Sequence, residues 1–393
     1  MKAVINGKLV FPEEIREGML LMEGDRITGI LPAGSALPAQ AETVDAAGLF
    51  VGPGLVDEHV HGYSRYGEDF DILRDLEQVA LAHLKHGTTT MTPSPSYSLR
   101  MDGYLDVIGQ AVRLIERGGS TVAGIHLEGP YINPHMGAGR KYAWKYDDER
   151  FDRLFTEAKG HVLHCTYAPE MPWAEQVERM IRRYGAVMDI GHTEAGPEDI
   201  ARSASAGLSI ITHLFDGMGN YRGMHAFDFT GDPQDCVSDI VLGIPGLYYE
   251  LICDSRYAHT TASSQKLAYR VAGEDHIILV SDCTCYNRRD FDPADFQEED
   301  LRSAPDLNIN HNGDLFGSRL TVRECAANFK KTVGVGIRET FLCASTNAAR
   351  ALGLYDRIGS IHPGKRADLI ITDEAFTLKQ VIFGGSVIPE IRN

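Results

Sequence analysis

Covalent staples are scarce in this chain of 393 residues: its seven cysteines are scattered and odd in number. A chain of this length has room for a large core and no need of disulfides, so the cysteines read as reduced thiols. Cys283 and Cys285 form a C-x-C directly after Asp282, but no second pair completes a four-ligand thiolate site, and they read as packing residues. Basic charge is short as well. Lys and Arg number 38 against 55 Asp and Glu, a net charge of -17, which argues against nucleic acid as a partner, because that binding rests on clustered Lys and Arg. No stretch reaches the roughly 18 apolar residues that a membrane span requires, and the opening MKAVINGKLVFPEE lacks the apolar run of a signal peptide. A cytoplasmic protein with no membrane partner is expected. No G-x-G-x-x-G or G-x-x-x-x-G-K-[ST] follows a candidate strand, so a nucleotide cofactor is not indicated. Low-complexity stretches are missing, as is any repeat longer than one strand–helix unit.

The composition is otherwise that of a folded globular chain, with 43% hydrophobic and 24% charged residues. Residues 1 to about 50 read as short strands, VING and then GMLLMEGDRITGIL broken at Gly24-Asp25. The last thirty or so residues, ADLIITDEAFTLKQVIFGGSVI, have the same character. Two such segments at opposite ends of a chain can pair into one small sheet. Between them apolar runs alternate with helical patterns, the mark of parallel βα units. The runs are LFVGPGLVDEH, TTTMTPS, TVAGIHLEG, HVLHCTYAP, AVMDIGH, SIITHLF, YYELICD and HIILVSD, eight in all. One intervening helix shows its stripe in Leu73, Leu76, Ala80 and Leu84. Longer insertions fall at about 216–247 and 285–318. The expected architecture is α/β: a TIM-type (β/α)8 barrel over 52–356, with a small β-sandwich domain formed from 1–51 and 357–393.

Polar residues able to bind metal recur at the ends of these runs. His59 and His61 close the first, Glu128 the third, His192 the fifth, His213 the sixth and Asp282 the eighth. In a parallel barrel such strand ends converge on one face, where active sites sit. His59 and His61, at i and i+2, share a side of their strand. Any one of the six has an ordinary reading as a chance motif or an ion-pair member; all six at strand ends point to function. Four imidazoles and two carboxylates suit Zn²⁺, Fe²⁺ or a similar divalent ion, one or two per chain. Such an ion lowers the pKa of bound water from about 15.7 toward about 7, which points to hydrolysis.

The same residues lie in strings that resemble the amidohydrolase superfamily, and within it the N-acetylglucosamine-6-phosphate deacetylase family: PGLVDEHVHG (53–62), GIHLEGPYIN (124–133), GHTEA (191–195), THLFDGM (212–218), VSD (280–282), and ASTNAARALGL with GSIHPGKRADL near the C-terminus. HLEGP is the most specific, since many superfamily members carry a carboxylated Lys as bridging ligand instead. The resemblance implies that Glu128, His192 and His213 hold one ion and that His59 and His61 hold a second with Glu128 bridging. Asp282 is implied both as a ligand and as the catalytic group that takes a proton from the metal-bound water and hands it to the leaving amine. His126, on the face of Glu128, reads as a neighbour of the ligands or as packing.

The chain departs from the family around the substrate. Asp216 and Gly217 stand where relatives have Asn-Ala. Asp254-Ser255-Arg256-Tyr257 replaces Asp-Gly-x-His, so the substrate-binding His is missing unless His259 takes its place, and Gly137-Ala138-Gly139-Arg140 replaces Gly-Ala-His-Asn. Arg140, Lys141, Arg222, His225 and Arg256 are candidates to rebuild an anion site. The expected activity is deacetylation of an N-acetylated amino sugar, as the 6-phosphate. The alternatives are an unphosphorylated amino sugar or an N-acyl amino acid with the same fold and metals, and a catalytically dead interaction protein, whose signature would be lost ligands. A small-molecule substrate and a homodimer are the expected partners.

Overall fold

The computed structural model describes residues 1–96, 99–137, 144–219, 235–285, 305–309 and 315–393. The middle of the chain holds the strands β1 (Leu55–Val60), β2 (Thr88–Pro93), β3 (Ile125–Glu128), β4 (Val162–Tyr167), β5 (Val187–Ile190), β6 (Leu208–Ile211), β7 (Tyr248–Leu251) and β8 (Ile277–Leu279). β1 pairs with β2, and β3 to β8 form a second sheet in chain order, with every neighbour parallel. Isolated parallel bridges link the two sheets, Met91 to Val122 and Ser96 to Glu128 on one side and Val60 to Cys283 on the other. The result is an α/β fold with a curled parallel sheet. Every residue of β1, β2 and β3 is buried, which is why these segments read as continuous apolar runs rather than alternating ones.

Helices follow the strands and cover them. The first, Ile72–Leu84, is capped by the Asp71 carboxylate, which accepts from Leu73 N at 2.7 Å. Leu76, Ala80 and Leu84 of the expected stripe are buried, and Leu73 packs partly buried against the core. A later helix, Pro197–Ala206, begins on its proline and stops at Gly207, whose φ of 107° suits glycine alone. No described helix is long and apolar enough to cross a membrane. All seven cysteines are free thiols.

Both ends of the chain contribute to one further sheet of eight strands. Its order is Ser386–Val387, Leu378–Phe383, Leu369–Thr372, Phe50–Pro53, Lys2–Val10, Ile15–Glu23 and Arg26–Pro32, with Glu42–Asp45 parallel to Lys2–Val10. The two ends meet where Ile370 pairs with Gly52 and Ile371 with Val51, antiparallel. Val4, Leu9, Leu20, Val51, Leu369 and Ile382 belong to a buried cluster separate from the main core.

One expected strand, LFVGPGLVDEH, is two. Phe50–Pro53 lies in the end sheet and Leu55–Val60 is β1. The break is Gly54, where a Cβ would lie 2.0 Å from Thr89 Oγ1. Its N–H donates to Asp368 O and its carbonyl accepts from Ser345 Oγ, so the chain passes from one sheet to the other at a point with no room for a side chain. In the insertions, the described residues include a helix at Val237–Leu242 and an antiparallel pair, Leu307–Ile309 with Leu315–Ser318.

Candidate metal centre

The six residues expected at strand ends converge. His59 lies in β1 and His61 just beyond it, Glu128 ends β3, and His192, His213 and Asp282 follow β5, β6 and β8 by two or three residues. None is more than 6% exposed. The last three have left-handed backbones, with φ of 47°, 30° and 45°. Such conformations cost energy for a residue with a Cβ and persist only where surrounding structure enforces them. Around Asp282 the enforcement is visible: its N–H donates to His59 O at 2.9 Å and its carbonyl accepts from Ser318 N at 2.7 Å.

Glu128 is the hub. Its Oε1 lies 2.8 Å from His192 Nε2, 3.4 Å from His59 Nε2 and 3.5 Å from His213 Nε2, and its Oε2 lies 3.4 Å from His61 Nε2. Asp282 Oδ1 closes the other side, 3.1 Å from His61 Nε2 and 3.8 Å from His59 Nε2. The donor atoms thus form two triads sharing Glu128: His59, His61 and Glu128, and Glu128, His192 and His213.

The far edges of the rings decide what the near edges offer. His59 Nδ1 donates to Glu250 Oε2 at 3.0 Å, His61 Nδ1 to Ser94 O at 2.5 Å and His213 Nδ1 to Asp216 O at 3.0 Å. A neutral imidazole with its proton on Nδ1 presents a lone pair at Nε2, and these lone pairs all face the shared carboxylate. His213 Nε2 and His192 Nε2 stand 3.1 Å apart, and His59 Nε2, fully buried, has no hydrogen-bond partner among the described residues. A buried orphan nitrogen and two ring nitrogens edge to edge fit a cation. Charge says the same. Burial alone would raise Glu128, but the surrounding imidazoles of His61, His192, His213 and His59 hold it well below the usual carboxylate range; Asp282 is likewise held low, against burial, by His59 and His61. Burial lowers the His213 imidazole, and Glu128 and Asp216 overcome it to push it up to about 9. Ionised carboxylates among buried imidazoles whose Nε2 atoms face them make a site suited to a divalent ion.

A third cluster of possible ligands, His126, His164 and Asp189, lies deeper. His126 and His164 are stacked 4.0 Å apart and 8° from parallel. Lone pairs in parallel ring planes cannot converge on one ion, and each ring is already hydrogen-bonded: His164 Nδ1 to Asp189 at 2.5 Å, His126 to Ser94 Oγ at 2.9 Å and Thr166 Oγ1 at 2.8 Å. His126 also meets the His59 ring edge-on at 4.6 Å. It packs against His59, and both of its ring nitrogens are taken up by hydroxyl groups.

His61, Glu128, His192, His213 and Asp282 line a cavity. Asp216 and Gly217 line it too, with Ser96, Thr284 and Phe316, which the sequence did not single out. Asp216 Oδ1 accepts from Gly217 N at 2.8 Å. Gly217, at φ 58°, leaves space that a Cβ would take 3.0 Å from His192 Nδ1. His259 is buried; its Nδ1 faces Asp254 at 3.1 Å and its Nε2 faces the carbonyl of Gly317, a residue of the cavity wall, at 3.2 Å. Tyr257 is 41% exposed, its hydroxyl beside Thr332 Oγ1, and neither it nor Arg256 lines the cavity. Arg140, Lys141, Arg222 and His225 lie outside the described residues. Sequence reasoning missed Glu250, which stood out only as a charge inside the apolar run YYELICD.

In comparison with known proteins, residues 271–388 match the model of the Amidohydrolase family, and over most of its length the chain is similar to N-acetylglucosamine-6-phosphate deacetylases. It is 25% identical over 383 residues to the N-acetylglucosamine-6-phosphate deacetylase of Bacillus subtilis (strain 168), covering 95% of this chain and 93% of that one. It is also 25% identical over 371 residues to the N-acetylgalactosamine-6-phosphate deacetylase of Escherichia coli O157:H7, covering 91% and 92%. Among solved structures, N-acetylglucosamine-6-phosphate deacetylase from Pasteurella multocida superposes with a TM-score of 0.85 at 22% identity, covering 98% of this chain and 99% of that chain. A point mutant of the Mycobacterium smegmatis enzyme, in complex with N-acetyl-D-glucosamine-6-phosphate, superposes with a TM-score of 0.80 at 21% identity, covering 98% of each.

Proposed function

We propose that the chain is a metal-dependent amide hydrolase that removes the acetyl group from an N-acetylated amino sugar, N-acetylglucosamine-6-phosphate or a close relative. The observation that carries this reading is the arrangement of four imidazoles around Glu128 and Asp282, in a chain similar over more than nine-tenths of its length to a deacetylase of that substrate. On this reading the parallel strands act as a (β/α)8 barrel over 52–356, and 1–51 with 357–393 as a small β-sandwich. Zn²⁺ or Fe²⁺ occupies one or both triads, in a cytoplasmic homodimer.

Glu128, His192 and His213 would hold one ion, and His59 and His61 a second with Glu128 shared. A bound divalent ion supplies a water of lowered pKa and polarises the acyl carbonyl. The remaining work falls to the chain. Asp282, ionised and turned toward the cavity, receives the proton of the attacking water on its carboxylate and returns it to the nitrogen of the leaving amine. Its low proton affinity suits the second transfer.

Asp216 favours a second reading of the substrate. A carboxylate in the cavity wall repels a phosphate and accepts from a hydroxyl or an ammonium group, which suits an unphosphorylated amino sugar or an N-acyl amino acid. Metal-reconstituted protein assayed for acetate and amine against paired phosphorylated and free N-acetylhexosamines separates the two. With the phosphorylated substrate preferred, truncation of Arg140 or Arg222 to Ala raises its KM about 10- to 150-fold, the worth of a charge-assisted bond, and leaves the free sugar unaffected. Preference of the wild-type protein for the free sugar refutes the phosphate assignment; acetate release from neither refutes the amino-sugar reading.

A further inference from the structure

Glu250 sits within β7, fully buried among apolar neighbours in the chain. An ionisable carboxylate in such a place is retained only with partners. Among the described residues its carboxylate has two hydrogen-bond partners, and both use one oxygen. Oε2 accepts from His59 Nδ1 at 3.0 Å and from the main-chain N–H of His213 at 3.0 Å. His59 belongs to one triad and His213 to the other.

We propose that Glu250 is a positioning residue that couples the two halves of the metal centre. The inference rests on the reading of those triads as metal sites. Toward His59 the carboxylate fixes the proton on Nδ1, so that Nε2 keeps its lone pair toward Glu128 and Asp282, and it makes that imidazole a better donor, as outer carboxylates do for ligating histidines. Toward His213 it acts through the backbone. The N–H it accepts belongs to a residue at φ 30°, and Leu214 N in turn donates to Glu250 O at 2.8 Å. The turn that aims the His213 ring is therefore pinned at two successive amides by one residue of the adjoining strand. The rings of His61 and His213 have separate anchors: His61 Nδ1 uses the carbonyl of Ser94 and His213 Nδ1 that of Asp216. Glu128 joins the triads from the lone-pair side and Glu250 from the opposite side.

The test is metal binding rather than turnover. Apo protein is titrated with Co²⁺ against a chelator of known affinity, with the visible Co²⁺ spectrum recorded, for wild type, E250Q, E250L and H61A. Both hydrogen bonds fall on one oxygen, so the amide oxygen of E250Q can take over both and only the charge is lost. The expected result is two ions in the wild type, about 10- to 100-fold weaker binding of both in E250L with an altered spectrum, and an intermediate loss at both sites in E250Q. H61A should weaken one ion and spare the other. Wild-type affinity for either ion in E250L overturns the coupling; if E250L does not fold, wild-type affinity for either ion in E250Q does so. A wild-type protein that takes up no ion would instead refute the metal-centre reading itself.

Discussion

Replacement of Asp282 by asparagine isolates proton transfer from structure. The residue has φ 45°, a region that Asn enters at least as readily as Asp and that strains alanine, so the amide is the cleaner perturbation. Its main chain stays fixed by His59 O and Ser318 N. The side chain keeps its volume beside Gly317, where even a methyl group would stand 3.2 Å from Oδ1. What changes is chemical: an amide oxygen can still face His61 Nε2, now 3.1 Å from Oδ1, but cannot hold a transferred proton. A general acid–base group contributes about 10²- to 10⁴-fold, equivalent to roughly 3 to 5 kcal/mol of barrier at about 1.4 kcal/mol per tenfold. Initial rates of acetate release are measured on D282N and wild type from one preparation, with metal content and unfolding temperature determined on the same samples. The expected outcome is a fall in kcat of that size with metal retained in the triads. Wild-type turnover in D282N would refute the assignment, and a fall matched by proportional metal loss would make Asp282 a ligand first and a base second.

Two further outcomes follow from geometry and burial. G217A places a methyl group 3.0 Å from His192 Nδ1 and 3.3 Å from His213 Cε1 at φ 58°, so metal affinity should drop about tenfold or more, read by chelator competition; unchanged affinity would show that both rings yield freely. His83 is fully buried, with Nε2 donating to Gly62 O at 3.0 Å, and burial pushes its imidazole down to about 4 from 6.5. The unfolded chain therefore binds this proton near pH 6.5 while the folded chain resists it until near pH 4, so stability is lost as pH falls through that window, by at most about 3 kcal/mol. Denaturant titrations of apo protein across the window should show a shallower pH dependence in H83Q, and an unchanged one would refute the buried-neutral assignment.

The parallel strands were legible because burial on both faces writes them as unbroken apolar runs, and the polar cluster because His59, His61, Glu128, His192, His213 and Asp282 are polar residues ending those runs. What was not legible depends on partners distant in sequence. Gly54 divides one run into two strands because Thr89 occupies the space of its missing side chain, and nothing near Gly54 announces Thr89. Tyr257 holds the place where relatives carry a histidine, yet it is His259, held by Asp254, that approaches the cavity wall, because the turn after β7 sets which side chain faces inward. Glu250 was visible as a misplaced charge, but its two acceptor roles exist only once β1, β6 and β7 are assembled.

The antiparallel pairing of Ile371 with Val51 also sets a schedule for synthesis. Phe50–Pro53 leaves the ribosome with Lys2–Val10 on one side of it, while the strand for its other side is made roughly 320 positions later, among the most non-local contacts a chain of this size can make. Until then its outer edge is a row of unpaired amides and carbonyls, a template for another nascent chain. The six residues of the candidate metal centre, from His59 to Asp282, are all synthesised before that edge is covered. The edge of Phe50–Pro53 that Leu369–Thr372 covers in the finished fold is thus without that partner strand through most of translation.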